Sequence, residues 1–190
     1  MGFGMKLKAQ VAGWLKPVLP SAQWIDRAIW YQRLDEVVHA VDRRRFDQVE
    51  PMLQGLERDL PEFPSDPGTR VGRLTRLAEL FRDLAGNFDA AERLLREAIE
   101  LGESASVDYW TVALPMNDLG LLLIDQRRYG EAERILEALT DRTREERGEN
   151  DPDLASCLEN LAAVYRQTGR TAEASRIRAQ AVRIRRTAVS

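Results

Sequence analysis

The sequence has 190 residues but only one cysteine and one histidine, Cys157 and His39. A single cysteine excludes an intrachain disulfide and makes a reducing, cytoplasmic setting the default. Too few His and Cys residues are present for a metal site of the usual kind. Ser/His/Asp catalysis would have to run through His39, and no strand-to-helix elbow surrounds any serine. The sequence also lacks a GxGxxG fingerprint and a GxxxxGK[ST] phosphate loop. Acidic neighbours such as Asp35-Glu36 and Glu145-Glu146 read as solvated helix surface. No catalytic residue, metal or cofactor is therefore expected, and the protein is not expected to be an enzyme.

Long apolar runs are missing too. No segment approaches the roughly 18 residues of a membrane span. The N-terminal apolar stretch is cut by Lys16, Pro17 and Pro20, which argues against a secretory leader. Lys6 stands where a myristoylation signal needs Ser or Thr. Aromatics make up 7% of the chain, and no segment alternates as a strand does. Lysine is scarce, three against 25 arginines. With the abundant alanine, that bias suggests GC-rich coding and a bacterial source.

What is present is charge in blocks. Residues 1–20 carry +3 and residues 166–190 carry +6, so a chain total of −3 leaves −12 for the body. Basic ends of this sort keep terminal surfaces soluble or meet an anionic partner. The arginines Arg176, Arg178, Arg183, Arg185 and Arg186 have no interleaved aromatics, and the body is acidic. Both features disfavour nucleic acid.

The second positive feature is a repeat. LENLAAVYRQTGRTAEASRI from Leu158 matches MNDLGLLLIDQRRYGEAERI from Met116, LTRLAELFRDLAGNFDAAERL from Leu74 and, more faintly, LDEVVHAVDRRRFDQVEPML from Leu34. The copy from Leu74 has one extra residue in its turn. The turn residues Phe46, Phe88, Tyr129 and Thr171 are spaced by 42, 41 and 42. A fixed period of this size signals stacked helix pairs. Apolar periodicity and breakers predict helices over about 21–43, 47–60, 69–84, 89–102, 106–126, 130–147, 153–168 and 171–187. Asp151 or Asp153 can cap the seventh. Residues 61–68, PEFPSDPG, are the strongest breaker. Residues 1–20 form a separate segment, in which Leu7, Val11, Trp14 and Leu15 make one stripe of a short helix. Residues 21–190 form the repeat domain, with pairs at about 24–60, 66–102, 106–147 and 151–188. Each first helix needs a small residue where its partner crosses, supplied by Ala78, Gly120 and Ala162. Each second helix needs one facing back, supplied by Ala91, Ala132 and Ala174. Cys157 reads as a small buried hydrophobe facing the neighbouring pair.

With these residues in place, the chain resembles the tetratricopeptide repeat family. The long period and the stretch DPDLASCLENLAAVYRQTGRTAEA resemble its kinesin-light-chain subtype. The resemblance covers about residues 30–187 and weakens towards the first pair, where Val49 replaces the expected alanine. Pro115 inside the fifth helix implies a kink or a late start there. The resemblance implies an all-α fold, a right-handed solenoid of about four antiparallel helix pairs with a short N-terminal capping helix. It also implies protein–protein interaction, with first helices lining a concave groove.

In the subtype, paired asparagines in each first helix contact the ligand backbone. Here Asn117 and Asn160 each keep one of the pair, and Thr75 and Arg76 replace both in the second repeat. The candidate groove comprises Arg76, Glu79, Arg82, Asn117, Asp118, Leu121, Ile124, Glu159, Asn160 and Arg166. Gln32, Asp35, Glu36, His39, Thr75, Ser156 and Ala163 extend the same register. An apolar centre at Leu121 and Ile124 with a polar rim suits an internal peptide or an amphipathic helix. The primary expectation is a scaffold or adaptor for another protein. The alternative is a structural subunit, self-associating or membrane-peripheral, that docks through its basic ends and residues 1–16. A third reading is a regulatory domain for an enzyme or transcription factor on another chain.

Overall fold

The computed structural model describes residues 21–62 and 65–187. Among them every regular element is helical. The helices are α1 (Ser21–Asp42), α2 (Phe46–Asp59), α3 (Pro67–Leu80), α4 (Phe88–Ser104), α5 (Tyr109–Asp125), α6 (Tyr129–Arg147), α7 (Pro152–Gln167) and α8 (Thr171–Thr187). A 3-10 turn, Leu60–Glu62, follows α2, and a π turn, Phe81–Ala85, extends α3. The expected short helix over residues 5–16 lies outside the described residues. No described helix is long and apolar enough to cross a membrane. The chain divides into two compact units between Ala91 and Glu92.

In the first unit α1 packs on α2, and α2 packs on α3 and its π turn. Trp30, Leu34, Val37, Leu53, Leu74 and Phe81 are buried at this core. Val49 stands where a small alanine was expected, and it is buried nonetheless. The Arg73 guanidinium carbon lies 5.4 Å from the Trp30 ring centre, so the buried cation sits over an aromatic face. The π turn accounts for the extra residue in the second repeat. A π turn takes up one residue more than an α turn, so the insertion is absorbed inside the helix rather than in the loop. Asn87 then donates its backbone N–H to the Phe81 carbonyl at 2.9 Å. In the other intra-pair turns the same bond spans five residues, from Arg45 to Ala40, Arg128 to Leu123 and Arg170 to Tyr165.

In the second unit α5 packs on α6, α6 on α7 and α7 on α8, and α5 also meets α7. Leu119, Leu122, Leu123, Leu136, Leu154 and Val164 are essentially inaccessible. Each such side chain contributes roughly 1.5–3 kcal/mol of transfer free energy. Asp108 caps α5, accepting from the Thr111 N–H at 3.1 Å and the Thr111 hydroxyl at 2.7 Å. That cap fixes the start at Tyr109, so Pro115 lies inside the helix and the late start it implied does not occur. Asp151 caps α7 through the Asp153 N–H at 2.9 Å, with Pro152 in the first turn. Cys157 is buried and faces α6, its sulfur 3.4 Å from Thr143 Oγ1. Thr143 gives its one hydroxyl proton to the Leu139 carbonyl at 2.7 Å. Its oxygen therefore accepts from the Tyr109 hydroxyl at 2.5 Å and from the Cys157 thiol. Burial pushes the Cys157 thiol above its ordinary pKa, which makes it a poor nucleophile.

Candidate partner-binding surface

The open face of the second unit is built from α5 and α7. On α5 the core takes Val112, Met116, Leu119 and Leu123, which turns Trp110, Leu114, Asn117, Leu121 and Ile124 the other way. Trp110 and Leu114 are exposed, at 47% and 50%, and Leu121 and Ile124 are half-buried. The spacing of 110, 114, 117, 121 and 124 is one helical stripe, apolar except at Asn117. On α7 the matching face carries Ser156, Glu159, Asn160, Ala163 and Arg166, and it is mainly polar.

Asn117 and Asn160 join the two helices. Asn160 Nδ2 donates to Asn117 Oδ1 at 2.8 Å, and Asn117 Nδ2 reaches Asp118 Oδ1 at 3.4 Å. Both amides are half-buried. Each keeps unused hydrogen-bonding capacity, since Asn160 Oδ1 accepts nothing from the described residues and both amino groups have a second hydrogen. Glu159 is held from α8 by Arg185, at 2.7 Å. Arg166 is exposed and has no acidic partner among the described residues. At the far end of the stripe the Arg147 guanidinium carbon lies 4.9 Å from the Trp110 ring centre, and its Nε lies 3.1 Å from Asp151.

The remaining candidates belong to the first unit. Arg76 pairs with Glu79 one turn on, and Arg82 pairs with Asp83 at 2.7 Å. His39 and Asp35 of α1 approach to 3.2 Å. Thr75 does not line any surface. It is buried, and its hydroxyl donates to the Val71 carbonyl at 2.9 Å, because the core side of α3 includes Val71, Leu74 and Ala78. The small residues Ala78, Ala91, Gly120, Ala132, Ala162 and Ala174 are all buried.

Two features were not read from the sequence. Trp110 and Leu114 were passed over because the repeat was aligned from Met116. Extending the same helical spacing back from Asn117 by about two turns finds both. The second feature is a ladder between neighbouring pairs. Arg128, just before α6, grips Glu131 with Nε at 2.7 Å and Nη2 at 2.8 Å, and reaches back to Glu92 of α4. Arg170, just before α8, grips Glu173 with Nε at 2.9 Å and Nη2 at 2.8 Å, and reaches back to Glu133 of α6. In the first unit Asn87 takes the same place and donates to Glu50 at 2.7 Å. The bonds to Arg128 hold the Glu92 and Glu131 carboxyls below their usual pKa, and those to Arg170 do the same for Glu173. The signal was the recurrence of Asn87, Arg128 and Arg170 one residue before each second helix. Among the described residues no cluster of His, Cys, Asp or Glu could hold a metal ion.

Antiparallel helix pairs repeated at about 42 residues, the last three with small residues at their crossings, define an all-α repeat protein. Residues 111–187 match the family model of the tetratricopeptide repeat. The chain's fold is similar to that of the kinesin light chain TPR-like repeats of Podosopora anserina. That likeness has a TM-score of 0.71 at 14% identity, over 97% of this chain and 85% of that one. It is also similar to the apo form of RapI, with a TM-score of 0.72 at 12% identity, over 98% of this chain and 49% of that one. No curated protein matches the sequence.

Proposed function

We propose that this chain is a non-catalytic interaction scaffold that holds a peptide or amphipathic helix of a partner protein against the open face of α5 and α7. The observation that carries this reading is the stripe Trp110, Leu114, Leu121 and Ile124, bordered by the bonded pair Asn117 and Asn160. Exposed aliphatic and aromatic side chains at helical spacing fit the apolar face of an incoming helix. The spare amide groups of Asn117 and Asn160 suit a backbone N–H or carbonyl. Arg166 offers a charged contact at one edge. Arg76 and Glu79 of α3 and Arg82 of its π turn make a separate polar set. The setting we infer is bacterial and cytoplasmic, supported by the single cysteine and the arginine bias.

The test is quantitative affinity capture from a native lysate with two baits, the intact chain and a Leu114→Asp/Leu121→Asp variant shown by circular dichroism to fold. Both positions lie on the open face, so the variant tests contact rather than packing. A protein enriched by the first bait and lost by the second supports the reading. Equal enrichment by both baits, or recovery of this chain alone, rejects it and favours a structural, self-associating role.

A further inference from the structure

The repeat register sets α8 beside α6. One side of α6 carries Glu133, Leu136, Thr140 and Thr143; it meets the next pair at Glu133, through Arg170, and at Thr143, through Cys157, and its last three residues are buried. Forty-two residues on, the same positions of α8 are Ser175, Arg178, Val182 and Arg185, and all four are exposed. Arg186 flanks them. A face that is largely covered on α6 is thus an arginine-rimmed surface on α8, with Val182 at its centre, 40% exposed. Arg185 touches Glu159, while Arg178 and Arg186 have no acidic partner among the described residues. The one acid of α8, Glu173, is already taken by Arg170.

We propose that this face of α8 is a second docking surface, which takes an acidic segment of a partner protein with an aliphatic side chain placed over Val182. Charge complementarity selects the occupant. Guanidinium forks match carboxylates in geometry, and an arginine rim around a small apolar centre calls for acids around an aliphatic residue. Nucleic acid fits less well, because no aromatic lies among these arginines and the rest of the chain is acidic. A second copy stacked in the same register fits less well too. At the preceding junctions a glutamate, Glu50, Glu92 or Glu133, accepts from the incoming pair, and Ser175 cannot take that part.

The probe is a short fluorescein-labelled peptide of glutamates around one leucine, titrated into the intact chain at low salt and read by fluorescence anisotropy. Arg178→Glu/Arg186→Glu is expected to weaken binding by about tenfold or more, whereas Arg43→Glu/Arg45→Glu, in the turn before α2, changes it by less than about twofold. Val182→Ser is expected to weaken the leucine peptide by about threefold and to leave a serine-centred peptide unchanged, which a diffuse field would not do. Circular dichroism confirms that each variant folds. Four results overturn the proposal: no binding at low salt, equal losses in the two charge variants, a single-stranded oligonucleotide that binds more tightly than the peptide, or self-association through this face that excludes the peptide.

Discussion

Gly120 sits where α5 and α6 cross, and a methyl group there would lie 2.5 Å from Leu136 Cδ2 and 2.7 Å from Cγ. Leu136 is fully buried and cannot swing aside. Gly120→Ala gains about 1 kcal/mol of helix propensity but loses more to overpacking, so a net loss of about 1–2 kcal/mol is expected in denaturant unfolding. Trimming the neighbour with Leu136→Val should cost less in that background than in the parent, because the two side chains compete for one space. The intra-pair turns pose a second residue-scale demand. Arg44, Gly86, Arg127 and Gly169 all have positive φ, between 58° and 79°. They recur at the spacing of the turns themselves. Glycine adopts this conformation freely and other residues pay for it. Gly169→Ala should therefore lower stability by about 1 kcal/mol, and Arg127→Gly should raise it by a few tenths to about 1 kcal/mol, both read from thermal unfolding. Gly86 and Gly169 were legible as turns in the sequence. Arg44 and Arg127 were not, because an arginine gives no sign of its backbone conformation.

Three first helices share one device. Asp66, Asp108 and Asp151 cap α3, α5 and α7, and the first two also bind a threonine hydroxyl, Thr69 at 2.6 Å and Thr111 at 2.7 Å. These hydrogen bonds hold the Asp66 and Asp108 carboxyls below their usual pKa, and the Asp153 N–H does so for Asp151. A depressed carboxylate adds stability that is fully present above its unfolded pKa, near 4, and is lost as pH falls through the lower folded value. Asp153 works in the opposite sense, since burial and the neighbouring Asp151 raise its pKa. We expect Asp66→Asn/Asp108→Asn to keep most stability at neutral pH, because asparagine caps about as well, and to flatten the decline below about pH 4. Asp108→Ala should cost about 1 kcal/mol at neutral pH. An unchanged acid limb in the asparagine variant would contradict this assignment. Helix spans were the most legible part of the sequence, because apolar periodicity and the breakers at Pro61, Gly86, Gly148 and Gly169 act locally. The π turn after α3 was visible only as an extra residue, since a repeat alignment cannot tell an insertion in a helix from one in a loop.

At the scale of the whole molecule, the repeats define surfaces that no single helix has. The residues on the open face of α5 and α7 could be placed from register alone, as Asn117, Leu121, Ile124, Asn160 and Arg166 were. Their mutual contacts could not, because the bond between Asn117 and Asn160 depends on how neighbouring pairs stack. The same holds for the ladder, whose partners Glu92 and Arg128, or Glu133 and Arg170, are 36 and 37 residues apart. A double-mutant cycle of Glu133→Ala with Arg170→Ala should show favourable coupling that shrinks as salt is raised, whereas additive losses would leave the ladder without an energetic role. The central claim is that the α5/α7 face holds a partner segment, and photocrosslinking tests it most directly. Benzoylphenylalanine is placed at Leu114 in one protein and at Ala138, exposed on the outer side of α6, in another. Both are irradiated in native lysate. Crosslinking of one partner protein from position 114 and not from position 138 is the predicted result. Crosslinking of that partner from 138 alone, or equally from both positions, would contradict the account.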